Sequence, residues 1–98
     1  MALRLSDLAV ADIKAAWSHV AIENPAAADR LVDTLHEKMA QLTGQPRLGR
    51  ERIDLGVGIR CWPAGNYLIF YEVSGFEIDI IRVVHGARDI PELFRKRP

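Results

Sequence analysis

Apolar positions keep a helical spacing over the first half of the chain and an alternating one over the second. Ala9, Ile13, Ala16, Trp17 and Val20 recur at intervals that put them on one helix face, and Ala28, Leu31, Val32, Leu35, Met39 and Leu42 form a second such stripe. The ends of both stripes carry stop and start signals. Ser6 reads as an N-cap with Asp7 in the first turn, where a negative charge suits the helix dipole. The first helix should stop by Glu23, and Asn24 followed by Pro25 starts the second, which Gly44 and Pro46 close. Two helices therefore form a tight hairpin whose stripes need a sheet face to cover. Tyr67 to Val73 and Phe76 to Val84 are rich in aromatic and β-branched residues, as a buried pleated surface requires. Ser74 and Gly75 read as the loop between them, and Pro63, Ala64, Gly65 and Asn66 as the turn before. Ala2 to Leu5 reads as a strand joining the same sheet, and Ile90 to Arg97 as one short terminal helix. The expected fold is α+β. A small twisted antiparallel sheet, the N-terminal strand plus a three-strand meander, packs on an N-terminal helix hairpin, with a short C-terminal helix; residues 1–98 form one domain.

A loop at Ser74 and Gly75 would pair Val73 with Phe76, Tyr71 with Ile78, Ile69 with Ile80 and Tyr67 with Arg82. Trp62 would then oppose Tyr67, and this face, with Arg60 at its end, goes to the helices. The other face carries Ile59, Cys61, Leu68, Phe70, Ile81 and Val83, with Glu72, Glu77 and Asp79 clustered toward the Ser74 turn. A sheet backed by one helix pair should leave that second face wet, so six apolar residues there require a cover. Either the terminal helix supplies all of it, or it supplies part and a partner supplies the rest.

Charge narrows the partners. The 98 residues hold 13 basic and 13 acidic side chains, so no overall field draws the chain to nucleic acid or to an anionic membrane. The single cysteine, Cys61, cannot form an internal disulfide, no signal-like segment opens the chain, and no apolar run is long enough for a membrane span. The expected compartment is the cytoplasm. Residues 45–57 have no period and carry Arg47, Arg50 and Arg52 among Pro and Gly, which reads as a loop.

Familiar site motifs fail on chemistry. Gly44 to Glu51 has phosphate-loop glycine spacing but places Arg50 and Glu51 where Lys and Ser or Thr are needed, and it follows a helix. Gly56-Val57-Gly58 lacks the third glycine of a dinucleotide fingerprint. His19, His36 and His85 lie on separate elements, so neither metal nor cofactor is expected. His85-Gly86-Ala87-Arg88-Asp89 is the remaining polar cluster. His85 and Arg88 would sit at the sheet rim, and Asp89 would either pair with Arg88 or cap the terminal helix.

The run GIRCWPAGNYLIFYEV followed by IDIIRVVHGARD, behind a strand and a helix hairpin, resembles the RelE/ParE superfamily of bacterial type II toxins, in its ParE branch. The matching motif positions are Arg60, Tyr67, Tyr71, Arg82, His85, Arg88 and Asp89. The resemblance implies a choice between two activities. RelE-like members cleave messenger RNA on the ribosome with basic side chains on an open sheet face and a Tyr or His near the C-terminus. Those basic positions fall here on Ile59, Cys61 and Leu68, only Arg88 keeps its type, and the aromatic position falls near Phe94, which has no hydroxyl. Loss of cations and proton donor together removes terms commonly worth ~10² or more in rate each. The resemblance therefore implies a non-catalytic, ParE-like toxin that inhibits DNA gyrase and is neutralised by a ParD-like antitoxin, in a heterotetramer or larger complex, without sequence-specific nucleic-acid binding. A ribosome-dependent endoribonuclease and a non-toxic binding module are the alternatives. The expected antitoxin surface is Ile59, Cys61, Leu68, Phe70, Glu72, Glu77, Asp79, Ile81 and Val83. The expected gyrase surface is His85, Arg88, Phe94, Arg95, Lys96 and Arg97.

Overall fold

The computed structural model describes residues 1–95. Its elements are β1 (Ala2–Leu5), α1 (Asp7–Ala21), α2 (Pro25–Gly44), β2 (Arg50–Glu51), β3 (Arg60–Ala64), β4 (Tyr67–Ser74), β5 (Glu77–His85) and α3 (Ile90–Arg95). Both helix starts are capped where the sequence indicates. Ser6 Oγ accepts from the Ala9 amide at 3.0 Å, and Asn24 Oδ1 from the Ala27 amide at 3.0 Å. The α+β fold is as expected, but the sheet has five strands in the order β1-β5-β4-β3-β2 and is mixed. β1 pairs parallel with β5. No hairpin ties β1 to its neighbour, so nothing imposes the antiparallel direction on it. The fifth strand, β2, falls in the segment expected to be loop; at two residues it is too short to show a period.

On one side of the sheet, Ala9, Leu35, Met39 and Leu42 from the helices meet Ile69, Tyr71, Ile78, Ile80 and Val83. Trp17 lies at the margin of its stripe, 40% exposed, and its indole N–H donates to Asp29 across the helix hairpin at 2.9 Å. Tyr71 is fully buried. Its hydroxyl donates to the Pro46 carbonyl at 2.7 Å and accepts from the Gly49 amide at 2.8 Å. Arg60 closes the same corner by donating to the Gly49 carbonyl at 2.7 Å and to Glu51 at 3.1 Å. Glycine is required here because a Cβ on residue 49 would lie 2.6 Å from the Tyr71 ring.

Both hairpins turn two residues away from the expected registers. The loops are Gly65-Asn66 and Gly75-Phe76, so Trp62 pairs with Ile69 and Val73 with Ile78. Each begins with a glycine at positive φ, 61° for Gly65 and 59° for Gly75, the conformation a tight hairpin needs at that point. A slip of two residues preserves the faces. A bulge then changes them. Tyr71 pairs with Ile80 but Phe70 with Arg82, so Ile81 is inserted, and beyond it Val83 opposes Ile69 and Val84 opposes Leu68. Val83 consequently joins the helix-side core, and Val84 takes the place expected of it on the other face.

The bulge is fastened to the start of α1. Ser6 Oγ donates to the Ile81 carbonyl at 2.7 Å, and the Asp12 carboxylate accepts from the Val83 amide at 2.9 Å. The same carboxylate takes both Nε and Nη2 of Arg82 at 2.8 Å. That bidentate hydrogen bonding raises the Arg82 pKa.

Candidate functional site

The second face is roofed. Ile90, Leu93 and Phe94 of α3 lie over Ile59, Cys61, Phe70, Ile81 and Val84, with the Phe70 and Phe94 rings edge-on at 5.0 Å. From the other side the Arg52 guanidinium stands 6.0 Å above the Phe70 ring, held by Asp54 at 2.9 and 3.0 Å. The short link from β5 sets the position of α3. Gly86 donates to the Asn66 carbonyl at 2.9 Å, Ala87 to His85 Nδ1 at 3.0 Å, and Asp89 Oδ1 accepts from the Glu92 amide at 3.2 Å. Asp89 is thus the cap of the terminal helix.

The roof stops short of β1. Between α3, β5 and the β1–α1 junction lies a groove of about 620 Å³. It is lined by the apolar Leu5, Leu8, Ile80, Ile81, Leu93 and Phe94 and by the charged Arg4, Glu72, Asp79, Arg82 and Glu92. Leu8 is 51% exposed, an apolar residue off the buried stripe of α1. Much of this charge is already matched: Arg4 bridges Glu77 at 3.3 Å and Asp79 at 4.0 Å, and Arg82 is taken by Asp12. A trough with both apolar and charged lining can bury side chains of an amphipathic peptide.

The chain matches the family model described as "ParE toxin of type II toxin-antitoxin system, parDE" over residues 3–90. It belongs to the ParE toxin family. Toxin ParE1 of Mycobacterium tuberculosis is 31% identical over 64 residues, 64% of this chain and 65% of that protein. Toxin ParE3 of Caulobacter vibrioides is 30% identical over 57 residues, 58% of this chain and 57% of that protein. These curated relatives are matched over less than two thirds of their own length. Among solved structures, the chromosomal ParDE TA system from P. aeruginosa superposes with a TM-score of 0.75 at 26% identity, covering 87% of this chain and 95% of that one.

Within this ParE fold the expected antitoxin residues separate. Ile81, Glu72 and Asp79 line the groove, and Glu77 meets Arg4 beside it. Ile59, Cys61 and Phe70 are buried beneath α3, so they are not an open surface; Leu68 packs partly buried against the same core, and Val83 lies in the opposite core because of the bulge. Burial also pushes the Cys61 thiol above its ordinary pKa, against the pull of Arg52 and Arg50. Leu5, Leu8 and Leu93 complete the groove and were not expected. Leu8 carried a signal, since an apolar residue outside a helix's core stripe faces something else. Of the expected gyrase residues, His85, Arg88 and Arg95 are exposed, Arg95 pairing with Glu92 at 3.1 Å. Phe94 is only 8% exposed, because its ring serves the second core. Lys96 and Arg97 lie outside the described residues. Among the motif positions, Arg60, Tyr71 and Arg82 hold the fold, while Tyr67 meets the His85 ring edge-on at 5.4 Å. Among the described residues no cluster of His, Cys, Asp or Glu could hold a metal, and no helix is long and apolar enough to cross a membrane.

Proposed function

We propose that this chain is a non-catalytic toxin that inhibits DNA gyrase in the cytoplasm and is neutralised by a ParD-like antitoxin, which seats an apolar segment in the groove between α3 and the β1–α1 junction. The observation that carries the antitoxin part is that groove, an exposed trough in a fold shared with a ParDE structure. The basic, exposed Arg88 and Arg95 with His85 are the residues assigned to gyrase. Ribonuclease chemistry has little support. The face on which RelE-like members carry their catalytic cations is closed here by α3 and floored by Ile59, Cys61 and Phe70, none of which can stabilise a developing phosphorane.

The test has two arms. Purified protein should block gyrase supercoiling and accumulate cleaved DNA, and an equimolar antitoxin from the adjacent reading frame should reverse both. Leu8→Asp or Leu93→Asp should weaken antitoxin binding at least tenfold, about 1.4 kcal/mol. Message cleavage at codon positions with gyrase untouched would instead establish the endoribonuclease. Absence of both effects would leave a binding module.

A further inference from the structure

Exposed apolar side chains collect at one end of the sheet. β1, β3 and β5 begin there and β2 and β4 end there, since β1 runs parallel to β5 and the other pairs are antiparallel. The β4–β5 turn presents Phe76, 87% exposed, with Val73 beside it at 41%. The loop between β2 and β3 presents Val57 at 93% and Ile53 at 71%. Continued beyond the Arg60–Tyr71 pair, the β3–β4 register sets Gly58 level with Val73, so loop and turn stand roughly one strand spacing, ~5 Å, apart. The loop is held in shape. The Arg52 amide donates to the Ile59 carbonyl at 2.8 Å and the Ile59 amide to the Gly56 carbonyl at 3.3 Å, while Leu55 packs on the second core. Apolar side chains held outward on fixed backbone lose little freedom when a partner covers them.

We propose that this end of the sheet pairs with the same end of a second copy of the chain, about a two-fold axis perpendicular to the sheet. The pairing is independent of the antitoxin and gyrase assignments. The patch has the size a dimer needs. With roughly 150–250 Å² for a whole aromatic side chain, Ile53, Val57, Val73 and Phe76 together expose on the order of 500 Å². A standard interface buries about 800 Å² on each partner, a little over half of it apolar. The flanks supply the rest and the orientation. At the hairpin, Glu77 and Asp79 outnumber Arg4, which bridges them. Beyond the loop, Arg52 is paired with Asp54 and Arg60 with Glu51, and no described carboxylate lies within ion-pair distance of Arg50. Rotation about that axis exchanges the flanks, so Arg50 of each copy meets the Glu77 side of the other. None of the four apolar residues lines the groove, so both grooves of the pair stay open.

Sedimentation equilibrium of the unaltered protein should show a monomer–dimer equilibrium in the micromolar range. Phe76→Asp and Val57→Asp, at sites too exposed to disturb the fold by circular dichroism, should each weaken the dimer by roughly tenfold or more. On dilution, the amide NMR signals of residues 53–58 and 73–76 should shift while those of Leu8 and Leu93 stay put. Orientation has its own test. Arg50→Glu and Glu77→Arg should each pair poorly with themselves, yet a mixture of the two should form the mixed dimer, read by native mass spectrometry. A protein that stays monomeric at every concentration, or a dimer that Phe76→Asp leaves intact, would overturn the proposal. So would a mixture that forms no mixed dimer. If the unaltered protein is monomeric and Phe76→Asp instead loses antitoxin affinity or gyrase inhibition, this end belongs to that partner and self-pairing is refuted.

Discussion

Replacing Asp12 with alanine attacks the bulge from seventy residues away. The substitution deletes the acceptor for three hydrogen bonds, two from Arg82 and one from the Val83 amide, at 2.8, 2.8 and 2.9 Å. The two side chains are 16% and 13% exposed, so the guanidinium left behind is largely withdrawn from water. Breaking a buried pair by removing one partner costs roughly 3–5 kcal/mol, and the residual access of solvent places this pair near the lower end, at about 3 kcal/mol. Against a total stability of roughly 5–15 kcal/mol that is a large fraction. It corresponds to a fall in Tm of roughly 12–24 °C for a domain of this size. Urea unfolding followed by Trp17 and Trp62 fluorescence measures it. Asp12→Asn, which keeps one oxygen for Val83 but no charge, should lose about half as much. Asp12→Leu combined with Arg82→Met should recover most of the loss, since paired apolar replacements leave no stranded charge. A loss below about 1 kcal/mol for Asp12→Ala would refute the claim that this carboxylate holds the bulge.

Two further substitutions probe the rest of the fold. Gly49→Ala forces a methyl to within 2.6 Å of the Tyr71 ring and 2.9 Å of the Cys61 carbonyl, so Tyr71 must leave its pocket; a loss of about 2–3 kcal/mol in urea titration is expected, and Tyr71→Phe in the same background should not deepen it by more than about 0.5 kcal/mol. Stability should also decline in alkali. The folded state keeps the Cys61 thiol neutral above its ordinary pKa of 9.0 and the Tyr71 hydroxyl neutral above 10.0. Their contribution is therefore complete below the unfolded pKa values and is lost as pH climbs toward the folded ones. An unfolding series from about pH 7 to about pH 10.5 should show a downturn starting near 9, and Cys61→Ala should delay its onset toward 10. A Cys61→Ala curve that superimposes on the wild type would count against burial as the cause.

Local signals were legible and distant ones were not. The caps Ser6 and Asn24, the α2 stripe and the strand composition of β4 and β5 are written in neighbouring residues, so their elements stand where the pattern puts them. Each turn was centred one residue too early, because Gly65 and Gly75, at positive φ, take the first position of a two-residue loop, and that displacement shifts the pairing by two. The bulge could not be read, since Ser6 and Asp12 create it only after α1 has packed on β5. Val83 was assigned to the wrong side for that reason alone. The need for a cover on the second face was legible from Ile59, Cys61, Phe70 and Ile81. Its answer, a helix of six residues at Ile90–Arg95 covering most of the face and leaving a trough beside Leu8, depends on where the turn after His85 directs the chain.

The pairing of β1 with β5 has a consequence for biosynthesis. Residues 2–5 leave the ribosome well before their strand partners, residues 77–80. The helix hairpin emerges with its apolar stripe uncovered and waits for most of the chain before the sheet that covers it can close. Contacts so far apart in sequence make folding slow relative to a helical domain of equal length. During that interval the trough does not exist, because one wall comes from the opening turn of α1 and the other from α3. A nascent chain of this kind therefore cannot bury anything in that trough until α3 has emerged, and the exposed stripe in the meantime is a place for chaperones to bind.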